Sequence, residues 1–134
     1  MNQLFGKIID CQTDGALTLI RTQVESAVIS AIVIDNPEKS DYLTIGKTVR
    51  VVCKETEVVL AKELGGTISL QNQLNCTVID FEIGKLLCKV NLQFHQNTLS
   101  SVITRTGFDQ LQIQKNDKII ALIKTNEITL APYD

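Results

Sequence analysis

Residues 86–94 read LLCKVNLQF, a stretch in which every even-numbered position is apolar. Lys89, Asn91 and Gln93 lie between the apolar positions. Successive side chains of a β-strand point to opposite faces, so we predict a strand whose even-numbered side chains, Leu86 included, face a core. Ile, Val and Thr, whose branched side chains favour strands, make up 40 of the 134 residues. The sequence therefore predicts an all-β protein.

Short strands and turns surround this stretch in the second half of the chain. We predict strands over 76–83, 99–104 and 118–124, a turn at 84–85, a single helical turn over 105–111, and a last strand over 127–131. The strand over 118–124 is apolar on both faces, which indicates burial on both sides. Five short strands and one helical turn in about 65 residues are typical of a small OB-like β-barrel, here closed by its own last strand.

The chain also aligns with itself without a gap when it is shifted by 70 positions. Twelve of the 64 aligned pairs are identical, against about 4 expected by chance. The identical pairs include Asn2-Gln3-Leu4 with Asn72-Gln73-Leu74, Ile9-Asp10 with Ile79-Asp80, and Lys54 with Lys124. We therefore predict two tandem OB-like five-stranded β-barrels, each with a short helical turn. The first covers residues 1–64 and the second residues 65–134, and the glycines at 65–66 allow the chain to change direction between them.

Charge and composition disfavour nucleic-acid and membrane partners. The net charge is −2, aromatic residues are 4% of the chain and Trp is absent, whereas nucleic-acid binders use basic surfaces and aromatic platforms. No apolar run approaches the ~20 residues of a membrane-spanning helix, and no signal peptide is recognised. We expect a cytoplasmic protein.

Catalytic and metal-binding patterns are missing from the sequence. The four cysteines form no C-x-x-C pair, and the single histidine, His95, lies near none of them, so we expect free thiols and no directly coordinated metal. There is no Ser–His–Asp spacing, phosphate loop or H-E-x-x-H motif. We predict that the protein is not an enzyme.

Residues 67–74, TISLQNQL, resemble the opening of a Mop domain, the molybdate-binding form of the TOBE domain, whose usual motif is Ser-x-Arg-Asn. Further similarities follow in order at residues 102–104, 111–113, 121–124 and 127–130. The first half is similar through residues 2–4, 31–33, 46–47 and 54–58. The chain thus resembles two tandem Mop domains, as in molbindins or the effector module of a molybdate-responsive regulator.

The resemblance implies a homo-oligomer, a dimer or a trimer, that holds molybdate or tungstate between barrels without catalysis and without an organic cofactor. Molybdate is a tetrahedral dianion with four acceptor oxygens and no proton. Its pocket must therefore supply donors, and backbone N–H groups, hydroxyls and a Lys ammonium meet that need. The resemblance places the oxyanion-binding role on Ser69, Gln71, Asn72, Thr104, Lys124 and Thr125, with Lys54 in the first repeat.

Two departures from the family pattern bear on affinity in the second repeat. Gln71 stands where the family usually has Arg, so a neutral amide replaces a full charge. Gly107 stands where a Ser hydroxyl is common. A charge-assisted hydrogen bond contributes roughly 1.5–3 kcal/mol against 0.5–1.5 for a neutral one, so we expect weakened binding here.

The first repeat departs further. Ile34, Pro37 and Glu55 replace Thr104, Gly107 and Thr125 of the second. Isoleucine cannot donate a hydrogen bond, and a carboxylate repels an oxyanion. We expect a poor site in this half, although Lys54 could still serve a pocket that is shared across an interface.

We accordingly predict non-catalytic binding of molybdate or tungstate for intracellular storage, homeostasis or sensing. The alternative is a regulatory or oligomerisation module, such as the effector domain of a transcription regulator or transporter, with weak or lost oxyanion binding. An OB-like nucleic-acid binder is a further alternative that the charge and the aromatic content oppose.

Overall fold

The computed structural model describes residues 1–34 and 40–133, which form ten strands and one α-helix. The first half contains β1 (Asn2–Asp14), β2 (Leu17–Val24), β3 (Ala27–Val33), β4 (Thr48–Cys53) and β5 (Val59–Ala61). The second contains β6 (Asn72–Ile83), β7 (Leu87–Phe94), β8 (Asn97–Thr104), α1 (Arg105–Leu111), β9 (Lys118–Ile123) and β10 (Thr129–Pro132). A 3₁₀ turn lies at Glu55–Glu57 in the first half and at Thr125–Glu127 in the second.

The strands form two antiparallel five-stranded sheets, with the orders β10-β4-β1-β2-β3 and β5-β9-β6-β7-β8. The prediction of an all-β protein built from two five-stranded units is confirmed. The predicted helical turn is present as α1. The matching segment of the first half includes residues 35–39, which lie outside the described residues, as does the predicted replacement at Pro37.

The alternation predicted for residues 86–94 holds from Cys88 onward and fails at Leu86. Cys88, Val90, Leu92 and Phe94 are at most 1% exposed, whereas Leu86 is 77% exposed. The reason is the turn before β7, in which Gly84 N donates to Leu87 O and Arg105 N donates to Leu86 O. The strand therefore begins at Leu87, and Leu86 lies outside the register.

The prediction that each barrel is closed by its own last strand is wrong. β5, from the first half, pairs with β9 of the second, and β10, from the second half, pairs with β4 of the first. Leu60 faces Ala121, and Leu130 faces Val51. The 3₁₀ turns redirect the chain after β4 and after β9, so that each half gives its last strand to the other sheet.

The duplication is visible in the irregularities of the backbone as well as in the strands. A β-bulge interrupts the pairing of β1 with β2 between Ile8 and Asp10, and another lies between Val78 and Asp80 in β6. Positive φ angles of 52° at Glu25 and 54° at the equivalent His95 shape the two matching hairpins. The division of the chain at residue 64 stays a prediction.

Two asparagines connect the halves. The side chain of Asn72 bonds to both backbone groups of Ser30, and the side chain of Asn2 bonds in the same way to Ser100. Both asparagines are buried. Each therefore occupies an interior position that its hydrogen bonds make favourable, since a buried amide without partners is costly.

No helix within residues 1–34 and 40–133 is long and apolar enough to span a membrane.

Candidate functional site

A cavity of about 270 Å³ opens where the pairing of β6 with β9 ends. The last pair of the ladder is Asn72 with Ile123. Beyond it the two segments separate, and the cavity lies between them. Its lining residues are Ser69, Leu70, Gln71, Lys124 and Thr125. Four of the seven residues predicted for the site therefore share one cavity.

Local hydrogen bonds fix both walls of the cavity. On one wall, Gln73 Nε2 donates to Leu70 O over 2.9 Å. On the other, Glu127 N donates to Lys124 O over 3.0 Å, which starts the 3₁₀ turn after the strand. Neither of these two bonds uses a polar side chain that lines the cavity.

The polar side chains of the cavity make no hydrogen bond or ion pair with the part of the chain that the structure describes. These are the hydroxyls of Ser69 and Thr125, the amide of Gln71 and the ammonium of Lys124. Together they offer several donors and one positive charge, and no lining residue carries a carboxylate. The arrangement suits a small anion rich in acceptor oxygens.

Asn72 lies next to this cavity, but its side chain is directed elsewhere. It is 1% exposed, and its oxygen and nitrogen both bond to Ser30. The side chain therefore connects the two halves, and the oxyanion-binding role of Asn72 stays a prediction.

Thr104 is separated from the Ser69–Lys124 cavity. It precedes α1 as its N-cap, and its Oγ1 accepts a hydrogen bond from Gly107 N over 3.0 Å. It lines a second cavity of about 470 Å³ together with Thr56 and Gln110, on a largely apolar floor. Within one chain, Thr104 thus contributes to a different cavity from the other predicted residues.

Lys54 is the structural counterpart of Lys124, since each lies between the end of a strand and a 3₁₀ turn. Its surroundings differ. Glu55 replaces Thr125, and its carboxylate pairs with the ammonium group of Met1. This hydrogen bond holds the pKa of Glu55 below its ordinary value. The first half therefore presents a carboxylate where the second presents a hydroxyl.

The sequence reasoning missed Leu70, which forms part of the cavity wall, and Thr56, which lies near Thr104. Leu70 could have been found, because it lies between two predicted residues. Thr56 could not, because it belongs to the first half and reaches the second only through the exchange of β5.

Metal coordination finds no support in the described residues. Among residues 1–34 and 40–133, no group of three His, Cys, Asp or Glu side chains could hold a metal ion. Cys11, Cys53, Cys76 and Cys88 are free thiols, and burial raises the pKa of three of them, Cys11, Cys53 and Cys76.

Comparison with known proteins matches residues 68–130 to the TOBE domain. The fold is similar to a crystal structure of the cytoplasmic molybdate-binding protein ModG with molybdate bound, at 22% identity over 98% of this chain and 95% of that chain, with a TM-score of 0.91. A molybdate-binding protein from Sporomusa ovata is 29% identical over 44% of this chain and 88% of that chain, with a TM-score of 0.43. No curated protein matches the chain. Residues 68–130, just under half of the chain, therefore resemble a TOBE domain.

Proposed function

We propose that the protein binds molybdate or tungstate reversibly and without catalysis, for storage, homeostasis or sensing in the cytoplasm. The observation that carries this proposal is the cavity at the end of the β6–β9 ladder. Its polar side chains, on Ser69, Gln71, Lys124 and Thr125, have no partner in the described chain. They are therefore available to a ligand.

The chemistry of the cavity matches an unprotonated oxyanion. Four acceptor oxygens require donors, and the Lys124 ammonium supplies three N–H groups together with a positive charge. The hydroxyls of Ser69 and Thr125 add two further donors. The net charge of −2 is no obstacle, because a few converging donors determine the potential inside a small cavity.

The relatives support the same ligand class. The TOBE match over residues 68–130 includes every residue that lines the cavity. ModG, whose fold is similar, is described as cytoplasmic and as holding molybdate. We extend both properties to this chain as part of the proposal.

Calorimetric titration of the purified protein with molybdate, and with sulfate in the same buffer, tests the proposal. We expect Lys124→Ala to weaken molybdate binding by about 10- to 100-fold, because one charge-assisted interaction is lost. Lys118→Ala is the matched control, since Lys118 begins β9 and Lys124 directly follows the last residue of that strand. Unchanged affinity in Lys124→Ala would contradict the assignment of the site.

Binding by Lys54 needs a separate titration. If the first repeat contributes to a pocket that is shared between copies, Lys54→Ala lowers the number of molybdate ions bound per chain. If it does not, the stoichiometry of Lys54→Ala equals that of the unmodified protein.

A regulatory or oligomerisation module is the second candidate, and exposed apolar side chains favour it. Leu17 and its counterpart Leu87 are 48% and 54% exposed, and Ile34 is 84% exposed. Such surfaces are suited to contacts between copies, and a dimer or trimer could bring Thr104 of one copy to the Ser69–Lys124 cavity of another. Light scattering with and without molybdate tests this candidate. An oligomer that gives no heat with molybdate would support the second function over the first.

A further inference from the structure

Gln71 differs from the other polar residues of the cavity in offering an oxygen that only accepts. The Lys124 ammonium only donates, and the hydroxyls of Ser69 and Thr125 donate when they face an anion. Gln71 carries both an acceptor oxygen and a donor nitrogen on an exposed side chain that has no partner within the described residues. The amide can therefore turn either atom toward a ligand.

Two backbone carbonyls of the cavity are already engaged. The carbonyl of Leu70 accepts from Gln73 Nε2, and the carbonyl of Lys124 accepts from Glu127 N. None of the lining side chains is a carboxylate. Among the lining side chains, the Gln71 amide oxygen is thus the one atom that can only accept a hydrogen bond, and it has no partner in the described chain.

We propose that this cavity also takes tetrahedral oxyanions that keep a proton, with hydrogen phosphate as the representative. The inference rests on the proposed function, since it concerns the same site. The P–OH group donates to the Gln71 amide oxygen, while the remaining oxygens accept from Lys124 and from the two hydroxyls. No covalent step is involved.

An arginine at this position would have the opposite effect. Its guanidinium has five donors and no acceptor, so a P–OH hydrogen would face another donor. Such a mismatch discriminates against the protonated anion in favour of one without a proton. Gln71 removes this discrimination, and phosphate then competes with molybdate for the cavity.

Competition titrations with phosphate and sulfate test the proposal, at about pH 8, where phosphate is mainly a dianion like sulfate. Each anion is titrated against bound molybdate, and the measured quantity is the ratio of phosphate affinity to sulfate affinity. We expect phosphate to bind at least as tightly as sulfate. In Gln71→Arg the ratio of phosphate to sulfate affinity should fall by about 10-fold, because the acceptor is lost.

Gln71→Glu provides the opposite change. A carboxylate repels every anion, but it only accepts, so the ratio should rise even though all three affinities drop. The side chain is exposed, and circular dichroism checks that both variants fold.

The outcomes separate the inference from the proposed function. A ratio that is the same in the unmodified protein, Gln71→Arg and Gln71→Glu overturns the inference, as does molybdate binding that phosphate fails to displace. If molybdate, phosphate and sulfate all fail to bind, the proposed function itself falls, and the inference with it.

Discussion

Asn72 and Ser30 are joined by two hydrogen bonds although 42 residues separate them in the chain. Ser30 N donates to Asn72 Oδ1 over 2.7 Å, and Asn72 Nδ2 donates to Ser30 O over 2.8 Å. Ser30 lies on β3, which ends its sheet, so these backbone groups have no neighbouring strand to pair with. The side chain of Asn2 makes the same two hydrogen bonds to Ser100 on β8, the corresponding end strand of the other sheet. Each half thus supplies hydrogen-bond partners to one residue on the end strand of the other half, whose N–H and C=O would otherwise be unpaired.

Replacing Asn72 with Ala should destabilise the fold. The variant leaves the N–H and the C=O of Ser30 buried without partners, and we expect a loss of about 2–4 kcal/mol in the free energy of unfolding. Urea denaturation followed by circular dichroism measures it. Asn75→Ala is the control, because Asn75 lies on the same strand with an exposed side chain. Equal losses in the two variants would mean that the bonds to Ser30 contribute little.

Because β5 and β10 are exchanged, a substitution in one half should destabilise the strand of the other half with which it pairs. Leu130→Ala removes a buried side chain from β10, and Leu60→Ala does so from β5. Each should cost about 2–5 kcal/mol. Hydrogen exchange measured by mass spectrometry should then show faster exchange in β4 for Leu130→Ala, and in β9 for Leu60→Ala. Faster exchange confined to the half that carries the substitution would refute the exchanged pairing.

The strands and their burial could be predicted from the sequence, but the exchange could not. Alternation and β-branched residues indicate a strand and its inward face, which is why residues 88–94 behave as expected. Leu60 and Leu130 are equivalent in the repeat, and each finds the same kind of environment in either sheet. A last strand that pairs within its own half and one that pairs with the other half bury the same residues, so one sequence cannot tell the two arrangements apart. The direction in which the 3₁₀ turns lead the chain decides between them.

The sequence predicted only part of the candidate cavity, because a motif does not show where each side chain lies in the fold. Ser69, Gln71, Lys124 and Thr125 come together because they flank the ends of two adjacent strands. Thr104 is the last residue of β8, the end strand of the same sheet, and its hydroxyl oxygen caps α1. A motif matched residue by residue gives the type of each side chain but not the direction in which it points. The roles of these residues in oxyanion binding stay predictions.

Alkaline pH should destabilise the protein through Cys76. Burial raises the pKa of this thiol to about 12 in the folded state, while the ordinary cysteine value is about 8.5. Above the lower value the unfolded chain releases the proton that the folded chain retains. The free energy of unfolding should therefore fall as the pH rises from about 8.5 toward 12. Urea midpoints across this range measure the effect.

Cys76→Ala tests whether this thiol is responsible. The variant should be less stable at neutral pH, because a buried sulfur is removed, but its stability should decline less steeply at alkaline pH. An identical decline in both proteins would exclude Cys76 as the cause.

Acid should weaken the contact between Lys62 and Asp117. Gln114 N donates to Asp117 Oδ2 over 2.8 Å, and Lys62 Nζ lies 3.2 Å from the same oxygen. These two groups hold the pKa of Asp117 below its ordinary value. The stabilisation is therefore present above the ordinary Asp value of about 3.9 and is lost as the pH falls through the lower value of the folded state.

Asp117→Asn should lower the urea midpoint at neutral pH, and its curve should converge with that of the unmodified protein in acid. Asp14→Asn, at an exposed position, is the control. Curves that remain parallel down to the lowest pH would show that Asp117 does not carry the effect.

The exchanged strands also set an order for events during synthesis. The first sheet includes β10, so it lacks a member until residues 129–132 have left the ribosome. Until then β4 has an open edge, although every other strand of that sheet was translated long before. The half that is made first is thus among the last parts of the molecule to be completed, and a translation product that stops before β10 would leave the edge of β4 unpaired.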